Sequence, residues 1–374
     1  MKKGIFCVLI CMQMIVSTIV PVSATTVSEK TFQPLTTGNI LYVGGSGPNN
    51  YTKIQDAIND ASDGDIVFVY DESSPYFENL VIGKSISLIG EAKETTIIDG
   101  DEQKDADVVF IKGEKVIVQG FTIQNAYNKS GYPDYDNGIE VWSNNNTIRD
   151  NIIRNNTMGI QLGEEVKYQG HENNHSNFNV IEANSIVNNG FAGVYIVSSI
   201  ENMIVGNTIS ENKYHGVFLI DGSQNQIRQN IITNHSGVGI FVSGGSNTTI
   251  IGNHIVGNGE GIAIGYSSLN SIIQNNIYHN RINVMVYSDL PNFILAKILH
   301  HDKEFSHTWD GNYWGRPYLG PKPIVYRMLL LIPTIVTIAL SNFLNLKQPL
   351  TFELLIPYFD SHPAQEPYDV PGMR

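Results

Sequence analysis

Carboxyl side chains cluster between residues 134 and 164 of this sequence. They are Asp134, Asp136, Glu140 and Glu164. Enzymes that cleave polysaccharides use a pair of carboxyl groups as general acid and base, so these four residues are the candidate catalytic groups. The alternative interpretation is a solvated acidic loop without a reaction.

Imidazole and carboxylate groups are also concentrated near the end of the chain. The candidate metal ligands are His300, His301, Glu304 and His307. Neutral imidazoles with a carboxylate suit Cu(II) or Zn(II), and a calcium ion is a further divalent candidate for the chain. The alternative is a polar loop, and no other cofactor is evident from the sequence.

These residues are embedded in a repeat marked by asparagine. Asn-x-Ile recurs, at spacings of 33, 23, 23, 23 and 22 residues, at Asn151, Asn184, Asn207, Asn230, Asn253 and Asn275. Further asparagines lie five residues before and five residues after these, with His235 in one such place. Short β-branched runs separate them, which predicts an all-β right-handed parallel β-helix of about 23 residues and three strands per coil. We expect the asparagines to adopt left-handed corner conformations and to exchange hydrogen bonds along the axis.

Alternation within the longest strand of each coil predicts an aromatic row. The residue between the two inward-pointing residues of each strand points outward, which stacks Tyr195, Phe218 and Phe241 about 4.8 Å apart on the outer face. Tyr214 and Trp142 lie near the edges of this row. Exposed aromatic rings suit the apolar faces of sugars, so these five are the candidate ligand-binding residues. The alternative is a stack that stabilises the sheet beneath a covering segment.

The two ends of the coils differ from the repeat. Residues 25–79 form the N-terminal segment, where Thr52 and Gln55 predict a capping box and an amphipathic helix that covers the coils. Residues 80–286 form the coils, and residues 287–374 form a C-terminal cap or extension. Its apolar stretch 328–344 is at the short limit of a membrane span, and strands or a packed helix are the alternatives.

Charge and the first residues restrict the partners. The chain carries 23 basic and 36 acidic side chains, a net charge of −13, which excludes nucleic acid as a partner. Residues 1–24 have the pattern of a signal peptide, with Lys2 and Lys3 before an apolar run. The sequence therefore predicts a secreted or cell-surface protein. An uncleaved anchor, with membrane association through it or through 328–344, is the alternative.

Several motifs resemble a known family. The segments Ile54-Gln55-Asp56-Ala57-Ile58 and Ile86-Ser87-Leu88-Ile89-Gly90 resemble the start of pectin-lyase-like β-helices. The Asn-x-Ile repeats and Asp310-Gly311-Asn312-Tyr313-Trp314 resemble NosD-like proteins, which carry the carbohydrate-binding and sugar-hydrolysis (CASH) domains of secreted archaeal proteins. The resemblance implies the β-helix fold and contact with carbohydrate, and it carries over no catalytic residue.

The function predicted first is that of a secreted or cell-surface NosD-like module that binds an extracellular polysaccharide or cell-surface glycan without evident catalysis. The enzyme alternative is a polysaccharide lyase or glycoside hydrolase. Two further alternatives are a copper-handling periplasmic protein and a structural surface stalk. Seven Asn-x-Ser/Thr sequons, among them Asn50 and Asn128, allow glycosylation.

Overall fold

Short β-branched runs pair in parallel with the equivalent run of the next coil. A computed structural model describes residues 38–100, 106–126, 136–164, 175–289, 307–316, 322–330, 352–360 and 362–370. Residues 37–374 form one unit, in which the strands, numbered in chain order, make three sheets. This confirms the predicted right-handed parallel β-helix. The signal peptide predicted at 1–24 lies outside the described residues.

Each sheet takes one strand from each coil. Sheet A contains β1 Ile40–Val43, β2 Ile66–Val69, β5 Ser87–Gly90, β8 Ile117–Gln119, β11 Thr147–Arg149, β14 Val180–Glu182, β17 Met203–Val205, β20 Gln226–Arg228, β23 Thr249–Ile251, β26 Ser271–Ile273 and β29 Thr308–Asp310. Sheet B contains β3 Tyr76–Phe77, β6 Ile97–Asp99, β9 Thr122–Gln124, β12 Ile152–Arg154, β15 Ser185–Val187, β18 Thr208–Ser210, β21 Ile231–Thr233, β24 His254–Val256 and β27 Asn276–Tyr278. Sheet C contains β4 Leu80–Ile82, β7 Val109–Ile111, β10 Asn137–Val141, β13 Met158–Leu162, β16 Ala192–Val197, β19 His215–Ile220, β22 Val238–Ser243, β25 Glu260–Gly265, β28 Ile282–Asp289, β30 Lys322–Leu330 and β31 Phe352–Asp360.

Aliphatic side chains fill the interior of the coils. The inward residues predicted from alternation, such as Val194 with Ile196 and Val217 with Leu219, are fully buried. A glycine precedes each pair because the coils approach closely there. A Cβ on Gly193 would lie 2.8 Å from the carbonyl oxygen of Gly216 in the next coil.

The buried asparagines form hydrogen-bonded ladders along the axis. Asn207 donates from its backbone N and from Nδ2 to Oδ1 of Asn230, at 2.9 and 3.0 Å. Asn230 donates in the same way to Oδ1 of Asn253. The predicted exchange of hydrogen bonds between stacked amides is therefore present.

The predicted left-handed conformation of the ladder asparagines is wrong. The left-handed residue is the one before each ladder asparagine, as at Gln229 with φ 55° and Ala183 with φ 54°. The ladder asparagine follows this bend with its side chain turned inward. Bending and hydrogen bonding are thus divided between two adjacent residues.

His235 replaces an asparagine in the ladder that precedes sheet C. Its Nδ1 accepts from the backbone N of Asn212 at 3.1 Å, and its own backbone N donates to Oδ1 of Asn258 at 3.0 Å. Its Nε2 lies 3.2 Å from the carbonyl oxygen of Ile209, which fits a proton on Nε2. Burial lowers the pKa of His235 to about 4.

We expect His235→Asn to reduce the loss of stability in acid. A native pKa below the unfolded value of 6.5 gives stability that is complete above pH 6.5 and is lost as the pH falls toward 4. Between pH 7 and pH 4.5 the wild type should lose about 2 kcal/mol more than the variant. Chemical unfolding at both pH values measures this, with exposed His175→Asn as the control. Equal losses in wild type and His235→Asn would contradict the assignment.

A short helix, α1 Ile54–Asp60, packs against β1, β2 and β4 with Ile54, Ala57 and Ile58 buried. The predicted capping box of Thr52 and Gln55 is wrong, because the N-cap is Lys53 and makes no side-chain bond. Glu78 caps the helix instead and accepts from the backbone N atoms of Ile54 and Gln55. At the other end, Lys84 Nζ donates to three carbonyl oxygens of residues 58–61.

The ladder that precedes sheet B ends on a buried carboxylate. Asn312 donates to Asp360 Oδ2 from its backbone N at 3.0 Å and from Nδ2 at 3.2 Å. Trp314 Nε1 donates to the same oxygen at 2.9 Å. Asp360 therefore binds the motif Asp310-Gly311-Asn312-Tyr313-Trp314 and supplies the acceptor that a further coil would provide.

The predicted apolar stretch 328–344 begins in a strand. Residues 328–330 belong to β30, which pairs antiparallel with β31. The rest of the stretch lies outside the described residues. In the described part of the chain, no helix has the length and apolar character needed to cross a membrane.

Candidate functional site

The outer face of sheet C carries one continuous row of side chains. The register pairs Phe110 with Glu140 and Glu140 with Gln161. It then pairs Gln161 with Tyr195, Tyr195 with Phe218, and Phe218 with Phe241. After Phe110 the row therefore changes from the carboxyl and amide groups of Glu140 and Gln161 to three aromatic rings, with one residue from each coil.

The predicted aromatic stack is present in its geometry. The ring centroids of Tyr195 and Phe218 are 5.1 Å apart at 24°, and those of Phe218 and Phe241 are 5.2 Å apart at 9°. Because parallel rings cover one another's faces, the stack presents mainly ring edges to solvent. Phe218 and Phe241 are half-buried.

The predicted exposure of Tyr195 is wrong. Its relative exposure is 2%, because it belongs to a second hydrophobic cluster on the outside of the coils. Met158 and Ala192 are buried in this cluster, and Phe191 packs against it. Tyr195 therefore stacks on Phe218 within the row and offers little surface to a ligand.

Tyr214 and His215 lie beside the stack, as the sequence predicts. Tyr214 is 45% exposed, and its ring centroid is 5.5 Å from that of Phe191. The imidazole of His215 lies 4.9 Å from the ring of Phe218. Burial, with a smaller effect of His235, lowers the pKa of His215 to about 4. His215 is therefore neutral at physiological pH and Tyr214 is the exposed ring of this group.

Trp142 lies at the opposite end of the row, next to Phe110. The two rings meet edge to face at 4.8 Å. Lys112 Nζ sits 4.5 Å from the centroid of Phe110 and 5.9 Å from that of Trp142. Trp142 thus belongs to a separate aromatic pair with a cation above it, and it does not extend the stack.

The carboxyl group of Glu140 is the most perturbed acid of this face. Burial, followed by the charge of Asp107 and a hydrogen bond to it, raises the pKa of Glu140 to about 9. Gln161 Nε2 donates to Glu140 Oε1 at 3.1 Å. Asp107 Oδ1 accepts from the backbone N and Nδ2 of Asn137, at 2.9 and 2.8 Å, which holds it in place. At neutral pH Glu140 therefore carries a proton and Asp107 accepts from it.

The predicted acidic residues separate into three cases. Glu140 and Glu164 lie close enough for the charge of Glu164 to raise the pKa of Glu140. Asp136 is buried, and its carbonyl oxygen accepts from Met158 N at 3.3 Å. Asp134 lies outside the described residues. Asp107 was not predicted from the sequence. The feature that could have indicated it is its position just before β7, in the coil that precedes the coil of Asn137.

The predicted metal cluster has one described member. His300, His301 and Glu304 lie outside the described residues. His307 is half-buried, and this desolvation lowers its pKa to about 4; its Nδ1 is 3.5 Å from Asn270 Nδ2. Across the described ranges, no three His, Cys, Asp or Glu side chains come together as metal ligands. The metal site predicted at these four residues therefore stays a prediction.

The fold that carries this face is a right-handed parallel β-helix, and solved β-helices are similar to it. The Dettilon tailspike protein is 15% identical, with a TM-score of 0.51 over 74% of this chain and 61% of its own. Pectate lyase Pel9A is 14% identical, with a TM-score of 0.46 over 77% of this chain and 74% of its own. The A-module of mannuronan C-5 epimerase AlgE6 from Azotobacter vinelandii is 17% identical, with a TM-score of 0.44 over 71% and 82%.

The family models match two overlapping parts of the chain. Residues 165–319 match the family described as periplasmic copper-binding protein (NosD). Residues 78–221 match a family described as protein of unknown function (DUF1565). The predicted resemblance to NosD-like β-helices is therefore confirmed. No curated protein matches the chain.

Proposed function

We propose that this chain is an exported NosD-like β-helix that binds carbohydrate along the outer face of sheet C. The observation that carries the proposal is the in-register row of one side chain per coil, which changes from carboxyl and amide groups to aromatic rings. Sugar chains bind through both kinds of group, because they carry hydroxyls around apolar C–H faces. A linear row about 4.8 Å per coil suits a linear ligand.

The polar and aromatic parts of the row have different tasks in this proposal. Phe218 and Phe241 offer ring edges to the C–H groups of the sugar, and Tyr214 offers an exposed ring beside them. Glu140 is half-buried and offers its carboxyl group to the hydroxyl groups of the sugar. Gln161 is buried and positions that carboxyl group by donating to Glu140 Oε1. Tyr195 acts only by positioning Phe218, because it is buried.

We expect Phe218→Ala to weaken glycan retention at least about tenfold, since the middle ring of the row is lost. Affinity electrophoresis in gels that contain neutral and acidic polysaccharides measures the retention. Phe68→Ala is the matched control, because Phe68 is a half-buried ring in the outer aromatic group of sheet A with Tyr42 and Tyr70. Unchanged retention in Phe218→Ala with a lowered melting temperature would refute binding at this row.

One observation favours hydrolysis of the bound glycan as a second function. The raised pKa of Glu140, about 9, leaves it protonated at neutral pH, as a general acid must be. Glu164 is the second carboxyl group near it. Release of new reducing ends by the wild type and not by Glu140→Gln would favour the hydrolase over the binder.

Copper handling and a structural stalk have less support. The described residues do not form a copper site, although the matched family is described as copper-binding. A structural stalk would need only the stacked coils, so it does not account for the in-register row on sheet C. Absence of retention in every gel would leave the stalk as the function.

A further inference from the structure

Four sequons occupy the same position relative to the ladders. They are Asn145-Asn146-Thr147, Asn155-Asn156-Thr157, Asn234-His235-Ser236 and Asn247-Thr248-Thr249. In each, the first asparagine is the left-handed corner residue that precedes a ladder position, with φ between 56° and 62°. All four corner asparagines are exposed.

We propose that Asn145, Asn155, Asn234 and Asn247 are N-glycosylation sites. The sequon supplies the acceptor amide and the hydroxyl two residues later. The corner conformation turns the amide toward solvent, whereas the next residue in each sequon is buried. Where that residue is an asparagine, as at Asn146, its amide is bonded in a ladder. The proposal rests on the export predicted from the first residues and is independent of glycan binding.

The four sites are distributed unevenly around the coil. Asn145 and Asn247 lie at the corner where sheet C leads into sheet A, and Asn155 and Asn234 lie where sheet B leads into sheet C. The third corner, between sheets A and B, has other residue types at every described left-handed position: Gly120, Asp150, Ala183, Gly206, Gln229, Gly252, Gln274 and Gly311. Attached glycans would therefore border sheet C on both sides.

The spacing along the axis leaves room for each glycan. Asn145 and Asn247 are four coils apart in one column, about 19 Å at ~4.8 Å per coil. Asn155 and Asn234 are three coils apart in the other column, about 14 Å. Neighbouring glycans on the same corner therefore do not compete for one position.

A fifth described sequon provides an internal contrast. Asn50 is half-buried, and its Nδ2 donates to the carbonyl oxygen of Gly44 at 2.5 Å. Its amide nitrogen is thus held on a backbone carbonyl inside the N-terminal turn, whereas the amide nitrogen of exposed Asn247 donates to the neighbouring side-chain oxygen Ser246 Oγ at 3.2 Å. We expect Asn50 to remain unmodified while the four corner asparagines are occupied.

The test is glycopeptide mapping of the full chain recovered from the cell surface and medium of the organism that encodes it. The expected result is glycan mass on the four corner peptides and none on the Asn50 peptide. Thr249→Val should abolish the modification of Asn247, whereas Thr249→Ser retains the sequon and the modification. Unmodified corner peptides, or a chain found only inside the cell, would overturn the proposal.

A variant that fails to fold does not obscure the result, because the wild-type map is read separately. Thermal unfolding of Thr249→Val and Thr249→Ser shows whether both are folded. Equal modification of Asn50 and the corner peptides would also overturn the proposal, since accessibility at the corner would then have no influence.

Discussion

Asn189→Ala is expected to lower the free energy of unfolding by about 4 kcal/mol, whereas Asn188→Gly changes it by less than about 1 kcal/mol. The two asparagines are adjacent in the chain, and their different places in the coil give them different surroundings. Asn189 is fully buried in the ladder that precedes sheet C. Asn188 is exposed and left-handed, with φ 57°.

The large effect comes from groups that stay buried after the amide is removed. Asn156 donates to Asn189 Oδ1 from its backbone N at 3.1 Å and from Nδ2 at 3.2 Å. Asn189 Nδ2 in turn donates to the carbonyl oxygen of Ile153 at 3.2 Å. Alanine removes these bonds in a dry corner, and each buried group left unsatisfied costs roughly 1–3 kcal/mol.

Glycine at 188 preserves what that position requires. A left-handed residue needs no Cβ, and glycine adopts this conformation without strain. Urea unfolding followed by circular dichroism at pH 7 measures both variants. Similar losses for the two substitutions would show that the ladder amides and the corner amides contribute alike, contrary to the structure.

The period of the sequence was sufficient to predict the coils, because a parallel β-helix stacks equivalent residues of every repeat. The inward pairs followed from alternation for the same reason. The two roles of asparagine could not be separated, since the residue type suits both a left-handed bend and a buried amide ladder. Asn188 and Asn189 look alike in the sequence and are distinguished only by the direction of the side chain.

Contacts between distant coils account for the remaining differences at the ends and at the site. Glu78 caps a helix that begins 24 residues earlier in the chain, so no local motif indicates it. Tyr195 is buried by Phe191 and Met158, which belong to a turn and to the preceding coil. Asp107 interacts with Glu140 from the preceding coil, in which the asparagine repeat is hard to recognise in the sequence. Each is a nonlocal contact that spacing within one repeat does not report.

Glu140→Gln is expected to stabilise the protein by about 4 kcal/mol more at pH 8 than at pH 5. The native pKa of Glu140, about 9, lies above the unfolded value of 4.5. Its contribution to stability is therefore complete below pH 4.5 and is lost as the pH rises toward 9. The unfolded chain ionises this carboxyl at neutral pH while the native chain holds it protonated.

Glutamine reproduces the hydrogen bonds of the protonated acid. Its oxygen can accept from Gln161 Nε2, as Glu140 Oε1 does, and its NH₂ can donate to Asp107. Denaturant unfolding at pH 5 and pH 8 measures the difference. The matched control is Glu114→Gln, an exposed carboxylate that accepts from Asn144 Nδ2 at 3.1 Å. Parallel stability profiles for wild type and Glu140→Gln would show that the carboxyl ionises in the native state.

A carboxyl group that lowers stability at neutral pH, where glutamine fits the same contacts, indicates that the acid itself has a use on this face. The comparison of retention and reducing-end release in Glu140→Gln then separates two uses. If the variant still binds the glycan but no longer cleaves it, the proton of Glu140 takes part in the reaction. If the variant binds more weakly and the wild type shows no cleavage, the proton serves as a hydrogen-bond donor to the sugar. Loss of neither would mean that Glu140 serves only the contact with Asp107.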